Sequence, residues 1–323
     1  LSTRELAMAE ENWERKALER LATDLVVERR RARRWSIFFR LFGLILVSFA
    51  VLALIALLGI GEKVCLDSCT AVIHVEGEIE RNGRANAEHV IDGLKQAYDT
   101  PQVKGVVVVI NSPGGSPVQA GQIYDEMRRL RAKHPDKPTY AVVEELAASG
   151  GYYVAAGADR IYVDKASIVG SIGVIMEGFG AQGALEKLGV ERRVITAGEN
   201  KSFLDPFQPL DPKQVQHIRT MLGDVHQQFI AAVRAGRGDR LKETPELFSG
   251  LVWTGQRAIE LGLADEIGSV DYVAREVIKA QEIVDFTPEE RMTERLARRF
   301  GATFARMIGY ELRVPRFSGY TLR

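Results

Sequence analysis

Apolar and polar positions fall into three regimes along the chain. Residues 1–36 are dense in charge. Residues 41–60, LFGLILVSFAVLALIALLGI, carry no charged side chain. From Thr70 onward, short β-branched runs alternate with stretches of helical period. In this third regime 71–77 (AVIHVEG) predicts a strand, and 86–99 a helix with Val90, Leu94 and Ala97 on one face. The unbroken run GVVVVI, 105–110, predicts a strand buried on both faces. NSPGGS (111–116) is a turn, 118–134 a helix with Ile123, Met127 and Leu130 in register, and 139–144 a strand leading into Ser149. A small-residue helix (150–158), a strand (160–164), a helix (183–189) and a strand (192–197) follow. The proline-rich stretch 205–212 is a loop, Pro212 opens a long helix to about Arg234, and 248–280 reads as turn, helix, turn, helix. Strand–helix–strand alternation implies an α/β fold with a mostly parallel sheet.

The apolar run 41–60 changes the picture of the whole chain. Twenty residues of helix rise about 30 Å, the thickness of bilayer hydrocarbon. Arg29, Arg30, Arg31, Arg33, Arg34 and Arg40 precede it, whereas Glu62, Lys63 and Asp67 follow. The positive-inside rule then puts the N-terminus in the cytoplasm and everything after Ile60 outside. The run is long for a cleaved leader and no Ala-x-Ala site follows, so a signal anchor is expected. The expected organisation is a charged cytoplasmic segment (1–36), a transmembrane anchor (37–60), a linker (61–69), one folded domain (70–285) and a tail (286–323). In the tail Met292, Leu296, Phe300, Phe304 and Ile308 recur at every fourth position between arginines, the pattern of a cationic amphipathic helix. Such a helix could lie on a membrane, dock on a neighbour or pack on its own domain.

Composition adds little to this. The 323 residues are 46% hydrophobic and 27% charged, an ordinary globular mixture. Forty-three basic and 43 acidic side chains cancel, so no global field favours nucleic acid. Cys65 and Cys69 are the only cysteines. Two cannot make a four-ligand zinc site, and a local disulfide and a pair of structural thiols both remain open.

The candidate chemistry centres on Ser149, set among Ala147, Ala148, Gly150 and Gly151 just before an apolar run. A serine hydroxyl needs a positioned base. None of the five histidines, at 74, 89, 134, 217 and 226, lies in a glycine-rich or turn context, and the G-x-S-x-G elbow is absent because Ala147 stands at its first position. Lysine can replace histidine when burial favours its neutral amine. Most lysines here sit in charged surroundings; Lys201, with Phe203, Leu204 and Phe207 nearby, does not. The glycine pair of NSPGG suits a backbone N–H that approaches a developing oxyanion, though it is also good turn chemistry.

Four segments together, INSPGGSPVQAGQIYDEM (110–127), ASGGYYVAAGADRIYVDKASIVGSIGVI (148–175), GENKS (198–202) and VWTGQRAIELGLADEIG (252–268), closely resemble the signal peptide peptidase A family of membrane-anchored serine proteases. The resemblance implies a Clp protease/crotonase-like fold behind the single span. It implies Ser149 as nucleophile, Lys201 as general base, Ser171 as the hydroxyl that aims the lysine, and Gly114 and Gly150 as oxyanion-hole donors. It implies apolar peptides, remnant signal peptides above all, as substrates, and a homo-oligomer in the bacterial inner membrane with its catalytic domain periplasmic. No metal, cofactor or nucleic-acid partner is expected. A broader quality-control protease, an acyl-CoA enzyme of the crotonase type and an inactive oligomeric scaffold are the rival expectations. The membrane span argues against the second of these, and the intact Ser149, Lys201 and Ser171 against the third.

Overall fold

The computed structural model describes residues 33–53 and 65–288, together with the backbone of 321–322. The charged N-terminal stretch before residue 33 and nearly all of the predicted tail helix lie outside the described residues. Helix α1, Arg33–Ala53, contains an 18-residue stretch with a mean hydropathy of 2.3 and is long and apolar enough to cross a membrane. The last seven residues of the predicted span, 54–60, lie outside the described residues.

The sheet of the folded domain is built outward from its most apolar strands. β1 (Cys69–Glu76), β2 (Val103–Ser112) and β3 (Thr139–Ala148) lie side by side and parallel. Period-two alternation divides the GVVVVI run between two cores. Val106, Val108 and Ile110 face the larger core with Ala71, Ile73 and Val75, whereas Val107 and Val109 join Val72, Val142 and Tyr162 on the other face. Both faces are therefore covered, as a continuous apolar strand requires. α2 (Ala87–Asp99) and α3 (Pro117–Lys133) bury Val90, Leu94, Ile123, Met127 and Leu130 in the larger core. Each begins at a polar cap: the Asn86 side chain accepts from His89 N–H and the Ser116 hydroxyl from Gln119 N–H.

β3 is shared by two neighbours on one edge. Its first half pairs with β4 (Arg160–Val163), and its last three residues pair with β5 (Ile168–Gly170). α4 (Gly150–Ala155) starts directly where β3 ends. β6 (Met176–Glu177) leads to α5 (Gln182–Leu188), which buries none of its residues. Residues 192–197, predicted as a strand, are an exposed loop. Their β-branched composition finds no sheet edge to pair with, and composition alone does not make a strand.

α6 (Pro212–Arg237) buries only its last third, through Phe229, Ile230, Ala232, Val233, Gly236 and Arg237. β7 (Val252–Thr254) runs antiparallel to β5, and α7 (Gly255–Glu260) follows. β8 (Glu266–Ile267) extends the sheet beyond β4. α8 (Val270–Tyr272) runs on as a π-helical turn, 273–278, and places Val273 in the smaller core. β9 (Glu282–Asp285) pairs parallel with β1. β7, β8 and β9 are too short for a sequence period to show. The two terminal residues of β10 (Thr321–Leu322) pair with β6.

Cys65 and Cys69 form a disulfide at the entrance to β1, which settles the pairing that the sequence left open. The root of α6 is held by a buried charge pair. Arg237, whose side chain is 0% exposed, forks onto Asp265 at 2.8 and 2.9 Å and also donates to Gly262 O at 2.8 Å. Asp265 accepts from Ile161 N–H as well, at 2.7 Å, and from Arg240 at 3.1 Å. Burial opposes ionisation of Asp265, but Arg237, then the Ile161 N–H and then Arg240 outweigh it and hold the carboxyl below its usual range. Asp265→Asn leaves a buried guanidinium uncompensated, and we expect it to cost about 3 kcal/mol, read as a lower midpoint in urea unfolding. The depressed carboxyl contributes stability that is fully present above its unfolded pKa of about 4 and is lost as pH falls through the folded value. The wild type should therefore lose stability more steeply than Asp265→Asn on acidification below about pH 4, and equal slopes would contradict this account.

Candidate active site

Ser149 sits on the turn between β3 and α4 with φ 51° and ψ −122°. A non-glycine residue rarely adopts this conformation, which persists only where the surroundings impose it. Here Ser149 N–H donates to Gly170 O at 2.8 Å, and Ser149 O accepts from Tyr153 N–H at 3.0 Å. The first bond ties the serine to β5, the second to its own helix. A strained serine between strand and helix is the geometry of a nucleophile elbow, reached here without the G-x-S-x-G sequence.

The loop after β2 closes on this serine. Gly114 has φ 99°, and a β-carbon there would lie 2.7 Å from Ser149 Cβ and 2.7 Å from the Gly150 nitrogen. No side chain fits, so this position must be glycine. The next residue, Gly115, has φ 140° and backs onto the carbonyl of Ile79. Gly114 N–H donates to the hydroxyl of Ser112, a fully buried residue, at 3.1 Å. The Gly115 nitrogen lies 3.3 Å from where a Gly150 β-carbon would stand. The backbones of Gly114, Gly115 and Gly150 are thus packed together beside the serine.

Ser171 follows β5 with φ 53°, and its N–H donates to Leu251 O at 2.7 Å. It shares with Ser149 the lining of a cavity of about 380 Å³ that also touches Glu78 and Ser249. A second cavity of about 290 Å³ opens from Ser149 and Gly150 between α3, α4 and α6. Gly115, Gly173 and Val174 border both, so the two form one groove across the serine. The structure brings together Ser149, Gly150, Gly114 and Ser171 of the residues expected from sequence.

Lys201 is not part of that assembly. It lies exposed on a turn, its N–H bonded to Gly198 O at 3.1 Å, and it borders neither cavity. The apolar residues expected to surround it pack elsewhere: Phe203 against His217, Phe207 under Arg192, and Leu204 into the domain. Nor does any histidine line either cavity.

Two residues that brace the site from behind were not foreseen. Ser112 ends an apolar strand, and its burial next to a glycine pair was the available cue. His226 Nε2 lies 3.1 Å from Ile172 O, so that nitrogen carries the hydrogen and pins the loop after Ser171 to α6. Its sequence context, inside a long polar helix, carried no cue.

Comparison with known proteins places this geometry. The sequence model of Peptidase family S49 matches residues 131–284, and that of Clp protease matches 68–171. A Brucella melitensis protein described as Na(+)/H(+) antiporter NhaA is 46% identical over 177 residues, 55% of this chain and 24% of that protein. This chain therefore spans about a quarter of it, and the description belongs to the larger protein. A candidate signal peptide peptidase SppA of Enterococcus faecium is 32% identical over 70% of this chain and 66% of its own length. A candidate protease of Synechocystis sp. is 34% identical over 62% of this chain and 69% of its own length. With the Clp protease-like sheet, the serine turn and these relatives in hand, the chain belongs to peptidase family S49, the signal peptide peptidase A family of serine proteases.

Proposed function

We propose that the chain is a membrane-anchored endopeptidase that cleaves apolar peptides, remnant signal peptides among them, with Ser149 as nucleophile and Lys201 as base. The observation that carries this reading is the strained Ser149 turn with the Gly114–Gly115 backbone packed against it. Ser149 Oγ attacks the peptide carbonyl and its proton passes to the lysine amine. The carbonyl oxygen becomes an oxyanion held by Gly150 N–H and the glycine pair. Gly114 N–H is already engaged by Ser112, so Gly115 N–H is the better placed second donor. The amine fragment leaves with the proton, and water then hydrolyses the Ser149 ester with the lysine again taking a proton. Ser171, on the same cavity, aims the lysine.

In this reading the lysine reaches the groove through assembly of several copies. The segment that carries it exposes Phe179 at 84%, Leu188 at 74% and Ile195 at 99%. Such bare apolar side chains favour burial against a second copy, and burial disfavours a charged amine. The anchor orientation is supported from two sides: arginines precede α1, and the disulfide follows it, as suits an oxidising compartment. The groove does not distinguish signal-peptide remnants from other apolar polypeptides, so broader quality control is the second reading.

The test is peptidase activity of the full chain in detergent. Ser149→Ala and Lys201→Ala should each lose at least about a thousandfold in kcat/KM while staying folded. Mixing the two inactive variants should restore part of the activity, because some mixed assemblies pair an intact serine with an intact lysine. A Lys201→Ala variant with near wild-type activity would remove lysine from the mechanism. If the wild type is inert on every peptide and unlabelled by a fluorophosphonate, the scaffold reading gains. Gly114→Ala should lower kcat about a hundredfold or more, since its new methyl group displaces the serine and the Gly150 donor.

A further inference from the structure

The cavity between α3, α4 and α6 has a division of character that the peptide reading does not use. Its apolar lining comprises Val118, Val225 and the stacked rings of Tyr153 and Phe229, whose centroids are 4.8 Å apart and 9° from parallel. Along α3 the lining runs from Val118 through Gly121 and Gln122 to Asp125, one helix face rising about 10 Å. Gly121 keeps the passage open: a β-carbon there would meet only the Tyr153 hydroxyl, at 3.8 Å. The cavity's polar lining is Gln122 and Asp125, further along α3 than Val118, and Gln228 on α6. Asp125 is the one formally charged residue that lines the cavity, and no ion pair engages it among the described residues. Its charge reaches the cavity wall, since it adds to the burial that raises the Tyr153 phenol.

We propose that this cavity takes a lysine or arginine side chain beside the scissile bond, with Asp125 as its counter-charge. An apolar stem with a cationic tip matches apolar walls that end in a carboxylate and two amides. A purely apolar side chain would leave the polar end unmatched, and an acidic one would meet like charge. Targeting segments join a cationic stretch to an apolar run. A groove that has apolar walls and is anionic at one end would therefore register its cut near that junction.

The inference rests on the peptidase reading, and the experiment separates the two. Peptides identical except for Lys, Arg, Met or Glu at each position flanking the cleaved bond are compared with wild type, Asp125→Asn and Asp125→Glu. At the position that occupies this cavity, wild type should favour Lys and Arg over Met by about tenfold and over Glu by more. Asp125→Asn should bring the Lys-to-Met ratio near one, and Asp125→Glu should keep its sign. Calorimetric binding of the Lys and Met peptides to Ser149→Ala, with and without Asp125→Asn, reads the cavity without chemistry. Cleavage with no basic preference at either position, or a preference that survives Asp125→Asn, overturns the proposal and leaves the peptidase reading standing. Asp125-dependent tighter binding of the Lys peptide with no cleavage by the wild type upholds the cavity and overturns the peptidase reading. Neither cleavage nor selective binding overturns both.

Discussion

Ser149 stays at φ 51° because its backbone is held from both sides, and the site depends on that restraint. Gly170 O takes its N–H from the β5 side, and Tyr153 N–H takes its carbonyl from the helix side. The arrangement is possible because β3 gives its first half to β4 and its last residues to β5. One strand end thus meets a neighbouring strand and a helix start together. A residue in a sparsely allowed region costs about 1–3 kcal/mol, a burden that small packed neighbours can carry. Ala147, Ala148, Gly150 and Gly151 are those neighbours, and all of them are buried.

The central sheet was legible because its physics is local. GVVVVI has no polar position and can only be a strand covered twice. The apolar period of the two helices that follow announced them, and Asn86 and Ser116 cap them. Ser149, Gly114, Gly150 and Ser171 were named from motif residues, and the fold gathers them. β7, β8 and β9 were not seen, since strands of two to four residues are defined by the neighbour they pair with. The reverse error occurred at 192–197, where favourable residues have no neighbour to pair with. His226 escaped because a contact between helix and loop 54 positions away leaves no local trace. Lys201 was singled out by motif and by apolar surroundings, yet those surroundings pack against other groups within a single copy.

The groove unites features that the sequence keeps far apart. The Tyr153–Phe229 stack joins the helix that follows Ser149 to α6, and His226 on α6 holds the loop after Ser171. The wall that would receive a substrate side chain and the loop that carries Ser171 thus share one support. Tyr152, next to Tyr153, donates to Leu263 O at 2.8 Å, close to the Arg237–Asp265 pair. The groove beside Ser149 and the buried charge pair are linked through a few side chains.

α6 is a cantilever. Its 26 residues rise about 39 Å, and only the end near Arg237 is clamped in the core. At the free end, Gln214 accepts from Leu204 N–H and His217 meets Phe203, so the lysine-bearing turn rides on the tip. In a beam fixed at one end, a small tilt at the clamp becomes a larger displacement at the tip. The ion pair at Asp265 therefore anchors the buried end of a beam whose far end carries that turn.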